Sequence, residues 1–282
     1  MAFRLKVWGS RGSIPTPGEA TVRFGGNTSC VEVRTTEGGL LILDAGTGLR
    51  QLGAQLEWHA PLHVLVTHLH LDHVEGLRFF APFWNERSEL HIWGPPSPVH
   101  SLEERITRAF SPPLFPIELA DTPAKVTFHD VPHEPWELEG VRVEAQTVSH
   151  PGPTLGYRLS VNGAALAYIP DHEPVLGVEL ADLEPEWISG HALAEDVDVL
   201  FHDCQFTESE YPSRVGWGHS SVEHAVGFAL RADARRLVLF HHDPDRSDSG
   251  VDELVERANE LWGGASGEAP VAASEGMTLD IS

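Results

Sequence analysis

The sequence predicts an α/β fold of layered strands and helices, and three observations carry that expectation. Short apolar or alternating runs recur along the chain, most of them bounded by glycine, proline or a polar turn. One later segment has helical periodicity instead, with Val222, Ala225, Val226, Ala229 and Leu230 on one face. The length, 282 residues, suits a single layered domain; no repeat, low-complexity tract or composition shift marks a boundary, so residues 1–282 are read as one domain.

Taken in order, Arg4 to Gly9 and Cys30 to Thr35 alternate as half-buried strands, and Leu40 to Leu43 is a short apolar run closed by Asp44-Ala45-Gly46-Thr47-Gly48. Leu62 to Thr67 reads as a buried strand running into His68-Leu69-His70-Leu71-Asp72-His73. Leu90 to Trp93 and Val126 to Phe128 are further strands, with a helix expected over Leu102 to Ala109 and a loop around Pro112, Pro113 and Pro116. Gly140 to Val148 alternates and ends at His150. Gly156 to Val161 and Ala165 to Ile169 then form a hairpin about Asn162-Gly163. Val197 to Phe201 leads into His202-Asp203. Ser220, with Glu223 three positions on, is expected to cap the periodic helix as a capping box. Arg236 to Phe240 is the last strand, Val251 to Leu261 a terminal helix, and the Gly- and Ser-containing end is expected to fray.

Composition narrows function. Lys+Arg is 19 against 42 Asp+Glu, a formal charge of -23, and no basic cluster or tail offers the footprint of a general nucleic-acid binder. A small phosphodiester stays open, because bound metal ions supply positive potential that the surface lacks. No stretch of 18 consecutive apolar residues and no signal-like start is present, so the reading is a soluble, cytoplasmic protein without membrane association. Two cysteines, Cys30 and Cys204, are too few for a disulfide framework.

His68-x-His70-x-Asp72-His73 is the strongest chemical signal. On extended backbone the period of two sends His68 and His70 to one side, and Asp72 and His73 follow at a turn that can redirect them toward a neighbouring ion. Imidazoles and carboxylates suit zinc, and less exclusively manganese or iron. One such cluster cannot fill two metal spheres. Other apolar strands end in coordinating residues, at His150, at Asp171 and at His241 or His242, and strand alternation does not choose between the last two.

These residues resemble the metallo-β-lactamase fold superfamily, and within it the ribonuclease Z and phosphodiesterase-like branch. Supporting motifs are Gly26-Asn27-Thr28-Ser29-Cys30, the Asp44 to Gly48 turn, His91-Ile92-Trp93-Gly94-Pro95, Tyr168-Ile169-Pro170-Asp171 and Gly218-His219-Ser220. The resemblance implies a four-layer αββα sandwich with two divalent ions at one sheet edge. One ion would take His68, His70 and His150, the other Asp72, His73 and His241, with Asp171 bridging. Asp44 would orient a ligating imidazole. The implied activity is hydrolysis by a metal-held hydroxide, with Asp72 orienting the nucleophile. His219 would assist the leaving group, paired with Asp203 where the branch has a glutamate. A phosphodiesterase acting on a small diester or cyclic nucleotide is expected ahead of an ester, lactone or thioester hydrolase or a non-catalytic binding member. His150 and Asp171 are only 21 positions apart, too close to hold a tRNA-binding arm. A homodimer is compatible with the branch.

Overall fold

The structure is a computed structural model that describes residues 2–56, 61–178, 180–265 and 267–282. Its strands in chain order are β1 (Phe3–Gly9), β2 (Cys30–Thr35), β3 (Leu40–Leu43), β4 (Leu62–Leu65), β5 (Glu89–Gly94), β6 (Lys125–Asp130), β7 (Trp136–Leu138), β8 (Val141–Thr147), β9 (Leu155–Val161), β10 (Ala164–Ile169), β11 (Val199–Asp203), β12 (Arg236–Phe240), β13 (Glu268–Ala272) and β14 (Thr278–Ile281). They form two seven-stranded mixed sheets, ordered β14-β1-β2-β3-β4-β5-β6 and β13-β12-β11-β10-β9-β8-β7.

Alternation within the strands builds the layers. Leu41 and Leu43 of β3, Leu166 and Tyr168 of β10, and Val238 and Phe240 of β12 point between the sheets and form one core with Phe3, Leu5, Val31 and Val33. The intervening residues face outward. Leu40 and Ile42 meet α1 (Leu49–Gly53), α2 (Leu71–Val74) and α3 (Leu102–Thr107), in a core that includes Leu49, Val74, Leu102 and Ile106. Ala165, Ala167, Leu237 and Leu239 pack in the opposite outer core, under α4 (His191–Ala194), α5 (Val222–Arg231) and α6 (Asp248–Trp262). Strands apolar on both faces are what sheets covered on both sides require, and the result is the four-layer αββα sandwich.

Strand direction places the functional edge. β3, β4, β5 and β6 run parallel, as do β10, β11, β12 and β13, and β8 joins the latter direction because β9 is antiparallel to both β8 and β10. Asp44 follows β3, His68 lies beyond β4, His150 beyond β8, Asp171 beyond β10 and His241 directly after β12. Ligand sites in such sheets sit outside the carboxyl ends of parallel strands.

Three local expectations are corrected. The N-cap of α5 is Ser221, whose side chain accepts from the His224 N–H; Ser220 is engaged elsewhere and Glu223 pairs with Arg257, so the capping box at Ser220 does not form. The chain end does not fray: β13 and β14 are the edge strands that complete the two sheets. Asp72 and His73 lie on the one-turn helix α2 rather than in a turn. Cys30 and Cys204 are free and buried in different outer layers. Among the described residues no helix is long and apolar enough to cross a membrane.

Candidate metal centre

The expected donors meet at that edge. Ligand atoms of His68, His70 and His150 lie within 4.8 Å of one another, as do those of His68, His73 and Asp171, and those of Asp72, His73 and His241. His68 and His70 converge although β4 ends at Leu65, with ring centroids 4.4 Å apart. Asp171 sits centrally: Oδ1 is 3.1 Å from His73 Nε2, and Oδ2 is 3.3 Å from His241 Nε2 and 3.8 Å from the Nε2 atoms of His68 and His150.

Partners outside the cluster fix each ring. His150 Nδ1 donates to the Gly218 carbonyl at 2.8 Å, which turns its Nε2 toward His70 Nδ1, 3.3 Å away. Asp44, fully buried, takes His73 Nδ1–H at 2.8 Å, the Tyr168 hydroxyl at 3.0 Å and the Thr67 N–H at 2.7 Å. Such a carboxylate fixes tautomer and orientation of a ligating imidazole. Asp72 Oδ2 accepts the Ser13 N–H at 2.7 Å and contacts His241 Nε2 at 3.2 Å. Asp44 (φ 59°) and His241 (φ 58°) both adopt left-handed backbone directly after a strand, a conformation that costs a non-glycine residue roughly 1–2 kcal/mol and here aims each side chain across the edge.

Donor chemistry fits cations. His68 Nε2, His73 Nε2 and Asp171 Oδ1 are buried with no hydrogen-bond partner, and among the described residues Asp72 and Asp171 form ion pairs with imidazoles alone. Burial pushes His68, His70 and His150 below the usual histidine range, so their nitrogens present lone pairs. Burial also opposes a proton on His73 and His241, but Asp171 and Asp72 outweigh it, helped by Asp44 at His73 and Asp203 at His241; they raise both rings, His241 to about 9. The same imidazoles, despite burial, hold Asp72 and Asp171 below the usual carboxylate range. One side of the cluster offers neutral imidazoles and the other an anionic demand, which together suit two divalent ions and identify a candidate dinuclear metal-binding site.

Residues 40–242 match the family described as the beta-lactamase superfamily domain. The chain belongs to the metallo-β-lactamase superfamily. Its relatives include ribonuclease Z of Natronomonas pharaonis, 27% identical over 323 residues with 100% of this chain and 98% of that protein covered. Among solved structures it is similar to human tRNase Z, short form (TM-score 0.69, 20% identity, 99% of each chain), and to a diphosphatase from the PhnP family (TM-score 0.68, 19% identity, 99% and 97%). Family, fold and donor set together make this chain a metal-dependent hydrolase of the metallo-β-lactamase fold.

The pair flanking the cluster is also assembled. Asp203, fully buried, accepts His219 Nδ1–H at 2.6 Å, while its other oxygen takes the Ser220 and Gln205 N–H groups. The His219 ring stacks on His241, centroids 4.9 Å apart, and meets His150 edge-on at 5.0 Å. His242 turns away: its Nε2 bonds the Ala273 carbonyl, and burial holds it down at about 3, so His241 is the residue placed at the cluster. His202, beside Asp203, faces the outer layer and pairs with His172.

Sequence reasoning missed Gly12 and Ser13. A Cβ at Gly12 would stand 2.3 Å from the His241 ring, so this position needs glycine for close approach rather than for backbone freedom. Gly12→Ala should push His241 off the cluster by about an ångström and lower kcat about 100-fold, the scale of such a misplacement, with weaker uptake of one metal equivalent. Metal stoichiometry beside steady-state kinetics checks it; an alanine variant with full metal content and wild-type kcat would refute the contact's importance.

Proposed function

We propose that this chain is a dinuclear metal-dependent phosphodiesterase, zinc being the first candidate metal with manganese or iron as the others, that acts on a small diester or cyclic nucleotide. The observation that carries the reading is the His219–Asp203 pair, poised beside His150 and His241 at the mouth of the donor cluster. His68, His70, His150, Asp171, Asp72, His73 and His241 would hold two divalent cations, which would supply Lewis acidity and a water of lowered pKa.

The chain's own groups do the rest. Asp72, pinned by the Ser13 N–H, orients the attacking water. Asp203 accepts from Nδ1 and holds the ring in place, so that in the imidazolium form Nε2–H is the group that can stabilise charge on the phosphoryl group or hand its proton to the departing oxygen. A diester carries negative charge on its phosphoryl oxygens and expels an alkoxide, and a cationic donor at Nε2 can serve both, so we read the pair as favouring a diester.

Two features support a small substrate, although relatives of the chain are named ribonuclease Z. Between His150 and Asp171 the chain makes only the β9–β10 hairpin, turning at Asn162 (φ 51°) and Gly163 (φ 87°), with no room for a protruding arm. The charge of -23 gives a polyanion little to hold. Free, buried Cys30 and Cys204 accord with a reducing cytoplasm. A metal-quantified screen of bis-para-nitrophenyl phosphate, cyclic nucleotides, lactones and thioesters tests the reading. Turnover is expected on the diesters; inert diesters beside active lactones or thioesters would transfer the site to carbonyl chemistry.

A further inference from the structure

Asp171 is followed by His172 and Glu173, and Glu173 is a buried carboxylate that the catalytic reading leaves without a task. Its side-chain hydrogen bonds reach one loop. Oε1 accepts the Tyr211 hydroxyl at 2.6 Å and the Gly216 N–H at 2.9 Å, and Oε2 accepts the Gly216 N–H at 3.1 Å and the Gly218 N–H at 2.8 Å. The loop needs this anchor, because Gly216 (φ 84°) and Gly218 (φ 87°) are both left-handed and add no side chain of their own to hold it.

What the loop carries gives the anchor its meaning. Gly218 presents its carbonyl to His150 Nδ1, and a Cβ there would stand 2.5 Å from that same nitrogen. The next residue is His219, and the residue before Gly218, Trp217, is 60% exposed. The backbone of this segment closes the arrangement: the Glu173 N–H donates to Ser149 O at 2.9 Å, beside His150, and the His172 carbonyl accepts the Ser220 hydroxyl at 2.6 Å, beside His219.

We propose that Glu173 is a positioning residue that, through the 211–218 loop, sets His150 for metal binding and His219 for leaving-group assistance. The His219 half rests on the phosphodiesterase reading; the His150 half stands without it. The Glu173 carboxylate bonds to the 211–218 loop and to none of the cluster's donors, so its effect must pass through those two imidazoles. Metal affinity reports the first, and the dependence of kcat on leaving-group pKa reports the second.

The test compares Glu173→Ala, Glu173→Gln, His219→Ala and the Glu173→Ala/His219→Ala double variant by metal titration and by diester kinetics at saturating metal. Glu173→Ala should weaken metal binding and lower kcat by roughly 10–100-fold, the range seen when groups that orient ligands are removed. The kcat loss should grow with leaving-group pKa, as it does in His219→Ala. Glu173→Gln keeps the size and one acceptor oxygen, and the Tyr211 hydroxyl can turn to accept from its amide, so it should fall between alanine and wild type. In the double variant kcat should lie within about threefold of His219→Ala alone, because two changes in one chain of action do not multiply.

If Glu173→Ala does not fold, Glu173→Gln carries the same signatures at smaller size. Wild-type metal affinity together with wild-type kcat in a folded variant overturns the proposal. So does, with metal affinity unchanged, a loss that multiplies fully with that of His219→Ala and ignores the leaving group. Should His219→Ala itself be silent, the phosphodiesterase reading falls, while weakened metal binding in Glu173→Ala would still uphold the positioning of His150.

Discussion

Replacing Asp171 by alanine should cut the bound metal from two equivalents to one or fewer and reduce kcat at least about 1000-fold, about 4 kcal/mol of barrier. The expectation follows from the place of this one side chain. Its oxygens lie between 3.1 and 3.8 Å from the Nε2 atoms of His73, His241, His68 and His150, so both donor sets face it. Without it, His68, His70 and His150 still converge, and so do Asp72, His73 and His241, but the carboxylate that reaches both sets is gone. Asp171 is also a main reason why His73 and His241 stay protonatable against burial; its removal takes away the negative charge that offsets a second cation. Folding should survive, since Leu166, Tyr168 and Ile169 of β10 keep their contacts in the two cores. Metal analysis and a thermal melt on the same sample separate lost chemistry from lost structure. A folded alanine variant that retains two equivalents and turns over within tenfold of wild type would remove Asp171 from the bridging position.

How far the site could be read from sequence depends on how local its causes are. His68, His70, Asp72 and His73 were legible because four donors fall within six positions behind an apolar run. His150, Asp171 and His241 are legible one step further, since each follows a segment that reads as a strand, half-exposed before His150 and apolar before Asp171 and His241. His241 against His242 needed the fold: β12 ends at Phe240, and the left-handed backbone at His241 decides which ring turns inward. Gly12, Ser13 and Glu173 were not legible, because their roles depend on which loop comes to rest against them. The α5 cap illustrates the same limit. Ser220 and Ser221 are equally good capping residues, and Asp203 with the His172 carbonyl claims the first, which leaves the cap to the second. In β13 the Pro270 that argues against a strand is tolerated because the strand lies at a sheet edge.

His219→Ala should lower kcat on a diester by roughly 100–1000-fold while two metal equivalents stay bound. Metal content is expected to hold because the two donor triads, His68-His70-His150 and Asp72-His73-His241, are complete without His219. The structural cost is limited. Asp203 loses the 2.6 Å bond to Nδ1 but keeps the Ser220 and Gln205 N–H groups on its other oxygen, and one lost bond to a buried carboxylate costs about 1–3 kcal/mol. The kinetic cost should depend on the leaving group. A para-nitrophenolate leaves with little help, whereas an alkoxide needs the proton or the positive charge that Nε2 delivers, so the penalty should be largest on alkyl diesters. Asp203→Asn should reproduce the pattern, because a neutral amide in that position no longer supplies the negative charge that supports the His219 imidazolium. Equal turnover by wild type and His219→Ala across diesters of rising leaving-group pKa would leave the pair without a part in the reaction, and with it the argument that sets a phosphodiester above a lactone or thioester at this centre.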